Sequence, residues 1–158
     1  GVKTSKPITG LAVDKGELMV SMKNVPYDMN ITAQFFSNLS KKSINIDMIS
    51  QTSPVDNKIH ISFSAPVEDR DELQKTLEAF QTKVPGVEID INEKVVKLSV
   101  VGVGMRNQRG IAYKFFRLLS EQHFPILMVT TSEIRISCMI PEAAKEKAVM
   151  AVADGFAL

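Results

Sequence analysis

Two loops in this chain carry residue types that could receive a carboxylate or a phosphate. The stretch Gly102-Val-Gly-Met-Arg-Asn-Gln-Arg-Gly110 contains three glycines, which allow close backbone approach or a positive φ. A helix starting beyond such a loop offers unpaired N–H groups and a partial positive charge, enough to hold a carboxylate or phosphate. The spacing is neither the dinucleotide fingerprint nor a P-loop, since no Gly-Lys-Ser/Thr follows; a tight turn before a helix explains the glycines equally well. The second loop is Val25-Pro-Tyr-Asp-Met-Asn-Ile-Thr32. Here Asn30 takes the place of Gly110, and Asn tolerates the left-handed conformation better than most residues. Asp28 or Asn30 reads equally well as a plain N-cap. Gln51 is a polar side chain at the end of an apolar pattern, either a ligand contact or a solvated loop residue. Thr130-Thr-Ser-Glu133 is the matching corner later in the chain.

Other chemistry finds little support. His60 and His123 have no ligand-spaced partners, so neither a metal site nor a cofactor is expected. Cys138 lies inside an apolar run and reads as a packed thiol. No nucleophile–base pair or paired-carboxylate arrangement stands out, so no catalytic residue is assigned. The 158 residues carry a formal net charge of +1, unlike a domain that holds nucleic acid through phosphate contacts. One cysteine permits no internal disulfide and suits a reducing compartment. No apolar run approaches the roughly 20 residues that span a bilayer. The start lacks both an initiator Met and a signal-peptide core. The expectation is therefore a cytoplasmic piece of a longer protein.

The elements that must position these loops come in two copies. Sliding the sequence by 80 positions lays Ile31, Phe35, Phe36, Leu39, Ile46 and Met48 on Ile111, Phe115, Phe116, Leu119, Ile126 and Met128. After an insertion at residues 53–58, Ile59-His-Ile-Ser62 falls on Ile134-Arg-Ile-Ser137, Pro66 on Pro141 and Phe80 on Phe156. In the first copy, strands are expected over 18–22, 44–49, 59–63 and 87–91. Helices carry Ile31/Phe35/Leu39 and Leu73/Leu77/Phe80 at helical spacing. The second copy repeats the order over 96–101, a helix from Gly110, 126–130, 133–139 and a helix to Ala153, but it lacks a closing strand. The opening Ile8-Thr-Gly-Leu-Ala-Val13 supplies one. The predicted fold is α+β, two ferredoxin-like βαββαβ domains with the first (17–93) inserted into the second (1–16 plus 94–158). RNA-recognition modules share this element order but stack bases on exposed aromatics. The strands expected at the centre here carry Asp47, Met48, Met128 and Val129 instead.

Val100-Val-Gly-Val-Gly-Met105 together with Thr131-Ser-Glu-Ile-Arg-Ile-Ser137 resembles the second ACT domain of aspartokinases. Ile44-Asn-Ile-Asp-Met-Ile-Ser-Gln51 resembles the strand and corner of the first. The resemblance covers essentially the whole chain. It implies the regulatory part of a parent enzyme whose separate kinase domain phosphorylates aspartate, with no catalytic site here. The expected effector is lysine or threonine, bound at ACT–ACT interfaces of a homodimer for feedback control. Effector contacts implied by the resemblance are Asn30, Ile31, Thr32, Asn45, Ile46, Asp47 and Gln51 in the first domain. In the second they are Ala112, Pro125, Ile126 and Ser132. Where the family often shows Asp-Lys-Pro-Gly, this chain has Tyr27-Asp-Met-Asn30, which makes Asp28 the stand-in for the aspartate that meets the effector's amine. His123-Phe-Pro-Ile126 replaces an Asn-x-Asn-Ile pattern, and Arg109 a proline. The alternative is a dimerisation domain that has lost its effector.

Overall fold

The structure is a computed structural model and describes residues 8–102 and 110–158. The chain divides into two compact units, one of Gly16–Glu93 and one of residues up to Lys15 together with Lys94–Leu158. Among the described residues each is a four-stranded antiparallel sheet with two α-helices, so both are ferredoxin-like domains, the first inserted into the second.

The second unit opens with β1 (Gly10–Asp14), and the inserted unit begins with β2 (Glu17–Pro26) and α1 (Met29–Lys41). It continues through β3 (Ile49–Gln51), β4 (Lys58–Pro66), α2 (Arg70–Lys83) and β5 (Glu88–Asn92). Its sheet order is β3-β4-β2-β5. α1 buries Thr32, Phe35 and Leu39 on one stripe, and α2 buries Leu73, Thr76, Leu77 and Phe80. These meet Leu18, Val20, Met22, Ile61 and Phe63 from the sheet. Phe35 sits at the centre, its ring centroid 4.8 Å from Phe80 and 5.9 Å from Phe63. Each such side chain contributes about 1.5–3 kcal/mol by leaving water.

The rest of the second unit is β6 (Val95–Val101), α3 (Ile111–Ser120), β7 (Met128–Thr131), β8 (Arg135–Pro141) and α4 (Lys145–Gly155), in sheet order β1-β6-β8-β7. β1 runs antiparallel to β6, with Gly10 opposite Val101 and Asp14 opposite Lys97. Ile8, just before it, is buried in the core with Leu98, Phe115, Leu119 and Cys138.

Several expectations change. The strand expected over 44–49 keeps its alternating burial, but ladder pairing starts only at Ile49. Ser64 is the cause. It faces two residues at once, its carbonyl accepting from Asp47 N–H at 3.1 Å and its N–H donating to Met48 O at 2.9 Å. Its hydroxyl accepts from Met48 N–H at 3.0 Å. Two residues against one is a β-bulge, which ends regular pairing there. β2, conversely, runs beyond Met22 to Pro26 by shifting register between Met22 and Val25, with Asn24 at φ 60°. The insertion forms a hairpin tip. Asp56 and Asn57, both at positive φ, make the two-residue turn between Val55 and Lys58. Counting along the helices from the shared prolines puts Phe80 at the position of Gly155, one residue before Phe156. Phe80 and Phe156 thus fill their cores from neighbouring positions.

Candidate functional site

The helix starts differ between the copies. α3 has Gly110 as its N-cap at φ 84°, a left-handed residue without side-chain capping. α1 begins two positions earlier by the repeat, on Asp28, which is extended (φ −146°, ψ 112°) and accepts Asn30 N–H on Oδ1 at 2.9 Å. Asn30 is therefore an ordinary helical residue and not the left-handed counterpart of Gly110. The first-turn donors are also used: Ile31 and Thr32 donate their N–H groups to Asp28 O at 3.0 and 3.2 Å. The notion that these N–H groups stand open for a ligand's carboxylate is corrected by this cap. Thr32 Oγ1 is buried with no hydrogen-bond partner among the described residues. Residues 103–109, including Arg106 and Arg109, lie outside the described residues.

The register of β4 locates the other candidates. Gln51 faces Ile61, which pairs with Met22. Gln51 therefore lies opposite the middle of β2, nearer the helix start than Asn45–Asp47, and is exposed; Asp28, Asn30, Ile31 and Thr32 stand at the helix start itself. Asn45, Ile46 and Asp47 stand at the opposite end, just beyond the C-terminus of α1. A 13-residue helix separates Asp28–Thr32 from Asn45–Asp47, about 18 Å at 1.5 Å per residue. No single amino acid reaches both within one unit.

The far-end group lines a cavity of about 410 Å³ with Phe36, Ser40 and Ser43. Neither Asn45 nor Ile46 uses its backbone N–H or C=O in a hydrogen bond among the described residues. Donors and acceptors side by side are what a zwitterion's carboxylate and ammonium require. The approach to this segment is a tight helix end: Ser43, at φ 57°, donates to Ser40 O at 2.9 Å, and Ile44 to Leu39 O at 3.0 Å. This is a Schellman cap with serine where glycine is usual. His123, at φ 58°, holds the same place after α3. Sequence reasoning missed Ser40 and Ser43, because serine does not announce the left-handed turn that the backbone takes at Ser43.

The second unit shows the same division. Ala112 lies in the first turn of α3 and is exposed. Ser132 follows β7 beside the Ile134 carbonyl that accepts Gly102 N–H, where β6 ends, and its own N–H donates to Arg135 O at 2.8 Å. Pro125 and Ile126 lie at the far end, between α3 and β7. Pro125, in the place of Asn45, has no N–H to offer. Cys138 is in the core, where burial pushes its thiol up to about 12. Among the described residues no helix is long and apolar enough to cross a membrane.

Comparison with known proteins agrees with this architecture. The ACT-domain family profile matches residues 98–156. The aspartokinase of Helicobacter pylori is 36% identical over 150 residues, a match taking in 94% of this chain and 36% of that relative. The chain thus spans little more than a third of the curated relatives it matches. Among solved structures, one of aspartokinase alpha and beta subunits has 32% identity and a TM-score of 0.87, covering 96% of this chain and 99% of the other. The regulatory subunit of aspartate kinase from Thermus thermophilus, in ligand-free form, has 30% identity and a TM-score of 0.90, with coverage of 96% and 99%. The described chain is a member of the aspartokinase family and forms its tandem ACT-domain regulatory region.

Proposed function

We propose that this chain binds lysine, threonine or both as end-product effectors, and thereby controls a kinase domain carried by the rest of the parent enzyme. The observation that carries this reading is the division of the implied contacts between the two ends of α1. An effector using both groups must take them from two domains. β3 is an edge strand with all three residues exposed. Antiparallel pairing of such edges between two chains reverses the ends, so the helix-start group of one domain meets a far-end group of the other. The ammonium would sit on the second oxygen of Asp28 and on Gln51. The carboxylate would sit on the N–H groups of Asn45 and Ile46. Asn30, Ile31 and Thr32 wall the site, and Ala112, Pro125, Ile126 and Ser132 line the corresponding positions of the second domain. The functional unit is then a homodimer.

A ligand held between two chains binds one arrangement of them better than others, so its occupancy shifts their populations. Couplings of this type run about 1–3 kcal/mol, enough to throttle a distant kinase. A second reading is a dimerisation domain without an effector. Its support is the cap that already occupies Asn30 N–H and the missing donor at Pro125. Calorimetric titration with lysine, threonine and methionine, singly and in pairs, separates the two. Saturable heat from lysine or threonine supports control by an effector; no heat from any of them leaves the dimerisation domain.

A further inference from the structure

The internal duplication provides a control for one feature of the first unit. Both units place two antiparallel helices over a sheet, but the space between the helices differs. In the second unit Leu118 of α3 lies against Gly155 of α4 so closely that a Cβ built on Gly155 would come within 2.7 Å of Leu118 Cδ2. Lys114 then lies over the Phe156 ring, 4.8 Å from its centroid. That groove is closed by side chains. In the first unit the repeat puts Asn38 at the position of Leu118 and Phe80 at that of Gly155. The result is an open groove of about 600 Å³ along α1 and α2, within the size range of sites for small molecules.

The lining of the groove defines what would fit. Its floor is apolar, from Ile31, Phe35, Phe80 and Val84. One wall is an amide row, in which Gln34 Nε2 donates to Asn38 Oδ1 at 3.1 Å. Lysines stand at both ends: Lys83 beside Ile31, and Lys41 with Lys42 at the end of α1. Lys42 lies 3.6 Å from Glu72, while the ammonium groups of Lys41 and Lys83 make no ion pair or hydrogen bond among the described residues. None of the residues lining the groove is acidic. Apolar floor, neutral wall and unpaired cations together complement an elongated apolar body that ends in an anion.

We infer that the α1–α2 groove of the first ACT domain is a binding site for an amphiphilic carboxylate, separate from the effector contacts on Asp28 and Gln51. The apolar body lies on Phe35 and Phe80, and the carboxylate is held by Lys41 or Lys83. Ile31 and Asn30 are shared with the effector reading, so the two ligands would sense each other through the start of α1.

The probe is decanoate below its micelle concentration, followed by two-dimensional NMR on the 158-residue chain. Saturable one-to-one binding is expected, with the largest shifts at Phe35, Phe80 and Val84. Decyltrimethylammonium, with the same tail and the opposite charge, should bind at least about tenfold more weakly. Asn38→Leu, the residue the second unit carries there, should fill the groove and weaken decanoate binding about tenfold or more. Ala79→Leu, on the opposite wall, is an independent filler should the first variant fold poorly. Lys41→Gln/Lys83→Gln should cost roughly fivefold and remove most of the salt dependence. Titrations with lysine and threonine on the Ala79→Leu variant report the effector site separately and should be unchanged. The inference is overturned if decanoate does not saturate, if its shifts map elsewhere, if both filled variants bind it like the parent, or if the cationic analogue binds equally well.

Discussion

Asp28 is assigned two tasks, and a pair of substitutions separates them. Its Oδ1 caps α1 through Asn30 N–H at 2.9 Å, and its second oxygen is proposed to meet the effector's ammonium. Asn is as good an N-cap as Asp but carries no charge. Asp28→Asn should therefore leave the fold nearly intact, giving up at most about 0.3–1 kcal/mol of charge–dipole interaction. Asp28→Ala loses the cap, at about 1 kcal/mol. For a unit of this size that lowers the melting temperature by about 4–8 °C. Binding should order the variants differently. A hydrogen bond between charged groups contributes about 1.5–3 kcal/mol, so both variants should bind lysine or threonine at least tenfold more weakly. Thermal unfolding by circular dichroism reads the first effect and calorimetric titration the second. If Asp28→Asn binds the effector as tightly as the parent, Asp28 is a cap and nothing more. If Asp28→Ala melts with the parent, the cap does not form.

Three further outcomes are expected. Gln51→Ala should weaken effector binding by more than about tenfold through the lost hydrogen bond to a charged ligand, with little change in unfolding by urea, while Ser132→Ala costs less. Ser43→Gly relieves a left-handed serine at the end of α1 and should raise the urea midpoint, by about 1 kcal/mol in stability; an unchanged or lower midpoint would count against the strain argument. Cys138, with its thiol pushed up to about 12 by burial from an ordinary value of 9.0, should resist alkylation at pH 8 until the chain unfolds. Because the folded state holds this proton more tightly, the linked stability is intact below about pH 9 and lost as pH rises towards 12. A thiol that alkylates at the same rate in native and unfolded chain would refute its burial.

The duplication and the two apolar periods made most of the fold legible from sequence, because Phe35 with Phe115 and Leu39 with Leu119 each report a helix face turned to a sheet. The misreadings have local causes. Residues 44–48 alternate like a strand because Ile44 and Met48 are buried, but pairing also needs a partner in register, and Ser64 sits opposite Asp47 and Met48 together. Asn30 falls on Gly110 when the copies are laid column by column, whereas a cap depends on where the chain turns in, and Asp28 turns it two residues sooner. The sequence names candidate residues but carries no distances between them. Asn30 and Asn45 look close in sequence only because a helix lies folded between them, and that helix holds them at opposite ends.

The central claim is that the effector binds between two chains, and sedimentation equilibrium with and without lysine and threonine tests it most directly. A ligand that binds only the paired state must tighten the pairing by mass action. The account predicts that a saturating effector lowers the dimer dissociation constant at least tenfold, about 1.4 kcal/mol. A dissociation constant unmoved by an effector that calorimetry shows to be bound would contradict it.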